Sequence, residues 1–101
     1  MPSEGYNVGY SKSGTIGTTA TQLDSTARNL LHGILIKNDD DEGTANIFVG
    51  FTSAVTAGTD GTATNGFRIG AGQAISVEPK LVNQVWLISD TAGTVWYAIG
   101  G

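Results

Sequence analysis

The chain contains no cysteine, which excludes disulfides, thiolate metal centres and cysteine nucleophiles. Any stapling must then come from packing or from partners. Charge is also scarce, at 14% of the 101 residues, against roughly 25% in ordinary soluble domains. The five basic residues, Lys12, Arg28, Lys37, Arg68 and Lys80, are scattered, and the formal net charge is −4. That balance argues against nucleic acid as a ligand, because phosphate binding needs clustered lysine and arginine. No apolar run approaches the roughly 20 residues of a membrane span, so no membrane partner is expected. Met1, Pro2, Ser3, Glu4 and Gly5 lack the basic and apolar regions of a signal peptide, and synthesis in the cytoplasm is the expectation.

What the chain does have is a hydrophobic fraction of 40% and 15 glycines. This suits closely packed strands joined by tight turns and suits disorder poorly. Its length fits one domain, large enough to bury about two-thirds of its unfolded surface.

Two runs near the C-terminus are the most informative: Val85, Trp86, Leu87 and Ile88, then Val95, Trp96, Tyr97, Ala98 and Ile99. Both have the β-branched and aromatic make-up of strands. Alternation sends Val85 and Leu87 one way, Trp86 and Ile88 the other; Val95, Tyr97 and Ile99 oppose Trp96 and Ala98. Both faces are apolar, with no long amphipathic helix to cover the outer one, so another subunit is expected to cover it.

Upstream, residues 1–14 read as an extended N-terminal arm, ahead of a single β domain over 15–101. Tyr6, Val8 and Tyr10 share one face of the arm if it is extended, which suits strand addition to a neighbour's sheet edge. Residues 15–22 are threonine-rich and strand-like. Asp24, Ser25 and Thr26 suit either the cap of a short helical turn or a turn into the next strand. Strands are expected over 31–38, 46–52, 67–69 and 73–78. Residues 39–45 read as a polar hairpin connection, and 90–93 as a compact hairpin turn. Seven or eight short strands at about ten-residue spacing indicate an all-β, antiparallel sandwich or barrel.

The order of these segments resembles the small β-sandwich virion proteins of tailed bacteriophages, including capsid decoration (cement) proteins. The likeness is carried by His32 to Asn38, Asn46 to Gly50, Gly66 to Gln73 and Val85 to Gly93, within residues 16–100. It implies a single jelly-roll-like sandwich that assembles as a homo-oligomer, often a trimer. It also implies binding to the major capsid protein on the virion surface. Tail and fibre proteins use similar modules, which leaves a receptor- or carbohydrate-binding module as the alternative.

Chemistry is thin. Asp39, Asp40, Asp41 and Glu42 are the best cation candidates, but an EF-hand pattern started at Asn38 ends on Val49 where a glutamate is needed. These acids read as a solvated turn. His32, the only histidine, alternates with Ile34 and Ile36 and reads as a packed core histidine. Asp24 and Asp90 are its available carboxylate partners for nucleophilic catalysis, although no spacing links them to it. The glycines at 66–72 lack the helix and lysine of a phosphate loop. No enzyme activity, cofactor or metal is expected. Of Trp96 and Tyr97, which face opposite ways, one is expected in the core and the other at a subunit contact. Tyr6, Val8, Tyr10, Trp86, Trp96 and Tyr97 are the candidate assembly residues.

Overall fold

The structure, a computed structural model, describes residues 9–40 and 43–101. The strands are β1 (Tyr10–Ile16), β2 (Thr21–Gln22), β3 (Ile34–Asn38), β4 (Ile47–Gly50), β5 (Phe67–Ile69), β6 (Ala74–Val77), β7 (Trp86–Ser89) and β8 (Thr94–Gly100). A 3-10 turn at Val82–Gln84 precedes β7. Two four-stranded antiparallel sheets result, ordered β1-β8-β3-β6 and β2-β7-β4-β5. The all-β antiparallel sandwich read from the sequence is therefore the observed fold. Its pairs are β1 with β8, β2 with β7, β3 with β6 and β4 with β5. This is one long hairpin, folded at β4 and β5 and then rolled into two layers: a jelly roll.

Alternation drives the assembly. Ile34 and Ile36 of β3, Trp96 and Ala98 of β8, Ile47 and Val49 of β4, and Leu87 of β7 all point between the sheets and form one core. Gly14 makes room for the largest of them. A Cβ there would lie 3.2 Å from the Trp96 ring.

Rolling overturns two expected hairpins. The connections 39–46 and 90–93 carry turn chemistry, but β3 and β4, like β7 and β8, lie in opposite sheets. Both turns cross the sandwich instead of closing a hairpin. A buried bond between the Ser89 and Thr94 hydroxyls (2.8 Å) anchors the second crossing. The expected strand over 15–22 is likewise split. It ends at Ile16 and resumes at Thr21 in the other sheet.

From Tyr10 on, the described part of the expected arm is strand. Residues 10–14 belong to β1, which pairs along its whole length with β8. Tyr6 and Val8 lie outside the described residues, as do Asp41 and Glu42. No helical turn follows Asp24. Its carboxylate instead accepts the Thr26 N–H at 2.9 Å, the turn option. His32 is exposed, not packed. Gly33, at φ +84°, breaks the alternation before β3 begins at Ile34, so His32 does not share the inward face of Ile34 and Ile36.

Asn38 ties the two layers together. Its side chain is fully buried, and its amide donates to the Ala45 and Ile69 carbonyls, both at 2.9 Å, across the sandwich. Its Oδ1 accepts the Asp40 N–H at 3.0 Å. Asn38→Leu orphans these groups and is expected to cost about 2–4 kcal/mol. A urea midpoint lowered in proportion checks this; an unchanged midpoint contradicts it.

Candidate assembly surface

The two sheets treat their outer faces differently. On β2-β7-β4-β5, Phe48, Trp86 and Ile88 point outward, and the chain covers them itself. The long connection 51–66 folds back, and Val55 packs against Phe48 and Ile88, with Trp86 half-buried alongside. Val55 sits against Gly50 and Gly66. A Cβ on either glycine would come within 2.7 Å of it. Asp60 braces the connection by accepting the Asn65 amide (2.7 Å) and the Thr62 N–H (3.1 Å). These bonds hold its carboxyl down at about 2. The expectation that a second subunit covers this face is thus corrected: a loop of the same chain does.

The outer face of β1-β8-β3-β6 has no such cover among the described residues. Directly opposed residues share a face, so the register decides what points outward. From β8 come Val95, Tyr97 and Ile99, and from β3 come Leu35 and Lys37. The flanking strands add only small side chains: Ser11, Ser13 and Thr15 on β1, Ala74 and Ser76 on β6. Trp96 takes the core position, 4% exposed, and Tyr97 the outward one, 49% exposed. Leu35 and Ile99 are exposed beside it. Lys37, the one charged residue among these outward positions, pairs with Asp39 at 3.3 Å.

A second apolar region lies where the sandwich opens between edge strands β5 and β6. Phe67 shares the inward face of Ile69, yet is 65% exposed, at a hollow it lines together with Ile75, Ser76 and Val77 of β6. Phe51 is exposed nearby, and Ile75 and Val77 are only partly buried. Ser76 borders this opening and also the hollow lined by Leu31, Leu35 and Ile99. The two regions therefore meet around β6.

Of the residues expected at an assembly surface, Tyr97 stands on this face. Trp96 is in the core and Trp86 is under the 51–66 connection. Tyr10 turns toward the core and donates from its hydroxyl to Asp24 at 2.8 Å, where Lys12 also approaches at 3.6 Å. Sequence reasoning missed Leu31, Leu35, Ile99, Phe51 and Phe67. Leu35 was readable, because Ile34, Leu35 and Ile36 are apolar on both faces of one strand. Phe67 was not, because its exposure depends on how edge strands β5 and β6 of the two sheets lie beside one another.

The acidic groups hold turns. The Asp40 carboxylate accepts the Thr44 and Ala45 N–H groups at 2.9 and 2.8 Å. Asp90 accepts the Asn46 backbone and side-chain N–H groups, both at 2.9 Å. Among the described residues no group of three His, Asp or Glu side chains is placed to hold a metal ion. No helix there is long and apolar enough to cross a membrane.

Asp24 titrates with the fold. The Thr26 N–H, then the Tyr10 hydroxyl, hold its carboxyl below the usual range. Burial and then Asp24 push the Tyr10 phenol up. As pH falls, the unfolded chain takes up the Asp24 proton first, so this stabilisation is present above about pH 4 and is lost below it. Asp24→Ala should cost about 1–3 kcal/mol at pH 7 and flatten the acid limb of a stability–pH curve. An acid limb as steep as that of the parent protein contradicts the assignment.

In comparison with known proteins, the chain matches no family model, no curated protein and no solved structure.

Proposed function

We propose that this chain is a structural protein of a tailed-phage virion, which associates with itself and binds the outside of the capsid to reinforce it. The observation that carries the reading is the contrast between the two sheets. One outer face is sealed by the chain's own connection, whereas the other stays apolar and open among the described residues, and inner-face side chains emerge beside it at β6. A jelly roll supplies a rigid plate for such contacts, and virion proteins are among the uses of that architecture. The order of sequence segments supports the same class.

The mechanism is burial of area. At roughly 25 cal/mol per Å² of apolar surface, covering these side chains gives each contact a modest favourable term, reduced by association entropy. Repetition over many equivalent capsid sites turns modest contacts into lasting attachment through avidity. The alternative, a carbohydrate- or receptor-binding tail module, needs an exposed aromatic platform with polar groups beside it. Of Trp86, Trp96 and Tyr97, Trp96 is buried and Trp86 half-buried, which leaves Tyr97 as the exposed one of the three.

Adding the purified chain to expanded phage shells that lack it should give saturable, stoichiometric density on the shell exterior by electron cryo-microscopy. It should also raise the temperature at which the shells break. Bare shells at saturating protein, with specific glycan-array signal, would transfer the reading to the alternative. Removing residues 1–8 tests the arm without touching β1, whereas removing 1–14 would take most of that strand. The shorter deletion should leave melting unchanged and weaken shell binding; undiminished binding rules out the arm as the contact.

A further inference from the structure

The geometry points to a second copy of this chain as the occupant of the open outer face of β1-β8-β3-β6, with the contact running round β6 to Phe67. This deepens the reading above by naming the self-association surface; it rests on that reading's self-association and not on its capsid.

Three observations select face-to-surface contact between copies. The first is that the strand edges are guarded. Free edges invite pairing with another chain, and proteins blunt them with short strands or with charges that point inward. The edge strands β2, β5 and β6 have two, three and four residues. The long edge, β1, carries Lys12 on the inward face, opposite Ala98 and 3.6 Å from Asp24. A neighbouring strand added along β1 would crowd that charge pair, whose lysine side chain is 41% exposed and needs room at the edge. Edge pairing is therefore disfavoured at every edge of both sheets.

The second observation is charge. With a net charge of −4, two copies repel one another at long range. The described acidic residues all stand on connections, and none is on a strand. On the open face the single charge, Lys37, is matched by Asp39 at 3.3 Å. Two such faces can approach without gathering like charge. A strongly charged partner would find nothing complementary there.

The third is area. Four strands at about 4.8 Å spacing and about 20 Å of strand length give roughly 400 Å² of face per copy, or about 800 Å² for two. Stable interfaces need about 1,200–2,000 Å², so the face alone falls short. The flank at β6 adds apolar surface to it. There Leu31 and Phe67 continue the apolar surface, and Ile99 on the face is itself 60% exposed. The contact so built is at the small end, which gives reversible association in free solution and a firm one once copies are held side by side.

Sedimentation velocity over a wide concentration range tests this. The full chain should sediment as a concentration-dependent oligomer. Tyr97→Glu and Leu35→Glu should each weaken association at least tenfold, while far-ultraviolet circular dichroism and melting stay close to the parent. Because the chain has no cysteine, Ser13→Cys on the face and Thr62→Cys on the far connection can each be coupled to a polyethylene glycol maleimide. The bulky group should dissociate the oligomer from Ser13→Cys only, and this arm decides the matter if a glutamate variant misfolds. A parent that stays monomeric at the highest concentration overturns the proposal, as does an oligomer that survives both the face substitutions and the coupling at Ser13→Cys. Shell binding is scored separately on the same variants, so a monomer that still coats shells would overturn this inference and leave the functional reading standing.

Discussion

The constraint on which the structure depends is that its central strands are apolar on both sides. A sandwich can bury only one side of each sheet in its core. Every residue spent on a two-sided strand such as β4, β7 or β8 therefore creates a second surface that must be covered. The chain meets this need once with its own backbone. The 51–66 connection, seated by Val55 against Gly50 and Gly66, covers Phe48, Trp86 and Ile88. For Leu35, Tyr97 and Ile99 the described chain supplies nothing comparable. The asymmetry between the two sheets is thus a property of where the long connection lies, not of how apolar each sheet is.

Polar groups are used sparingly, mostly where the roll must turn. Asn38 joins β3 to the opposite sheet, the Ser89 and Thr94 hydroxyls join β7 to β8, and Asp40, Asp60, Asp90 and Asp24 each cap a connection. The buried groups among these, the Asn38 amide and the Ser89 and Thr94 hydroxyls, favour one crossing geometry, because leaving a buried polar group unpaired costs about 1–3 kcal/mol. The result leaves acidic charge on the connections and the sheet faces almost neutral. An acidic protein can then approach its own copies through a sheet face more easily than through a turn.

Much of the fold was legible in the sequence. Strand positions followed from alternation, an antiparallel sandwich or barrel from spacing, and the sandwich from the resemblance in segment order; Phe67, Arg68 and Ile69 are the strand that the residues indicate. Turn chemistry at 90–93 was also legible, but not what the turn connects. The same Asp-Thr-Ala-Gly segment serves a hairpin or a crossing between sheets, and long-range pairing of β8 with β1 and β3 decides between them. His32 was misplaced because one left-handed glycine resets the alternation, which a period-two count carries straight through. Tyr10 was assigned to the arm because the glycines and serines of residues 1–14 give little helix tendency and Tyr6, Val8 and Tyr10 share one face of an extended segment. An extended segment is equally a strand of the domain's own sheet, and seven residues paired with β8, with the phenol bonded to Asp24, show that Tyr10 belongs to β1. Of the surface, Tyr97 was visible from the two-faced run at 95–99, whereas the opening between β5 and β6 lies between edge strands of different sheets, which no local pattern announces.

The most direct test of the central claim is oxidative footprinting of the unmodified protein at low and at high concentration. The account predicts that Tyr97, Leu35 and Phe67 become protected as concentration rises, while Phe48, Trp86 and Trp96 stay equally protected throughout. Labelling of Tyr97 and Leu35 that is the same at both concentrations would contradict it.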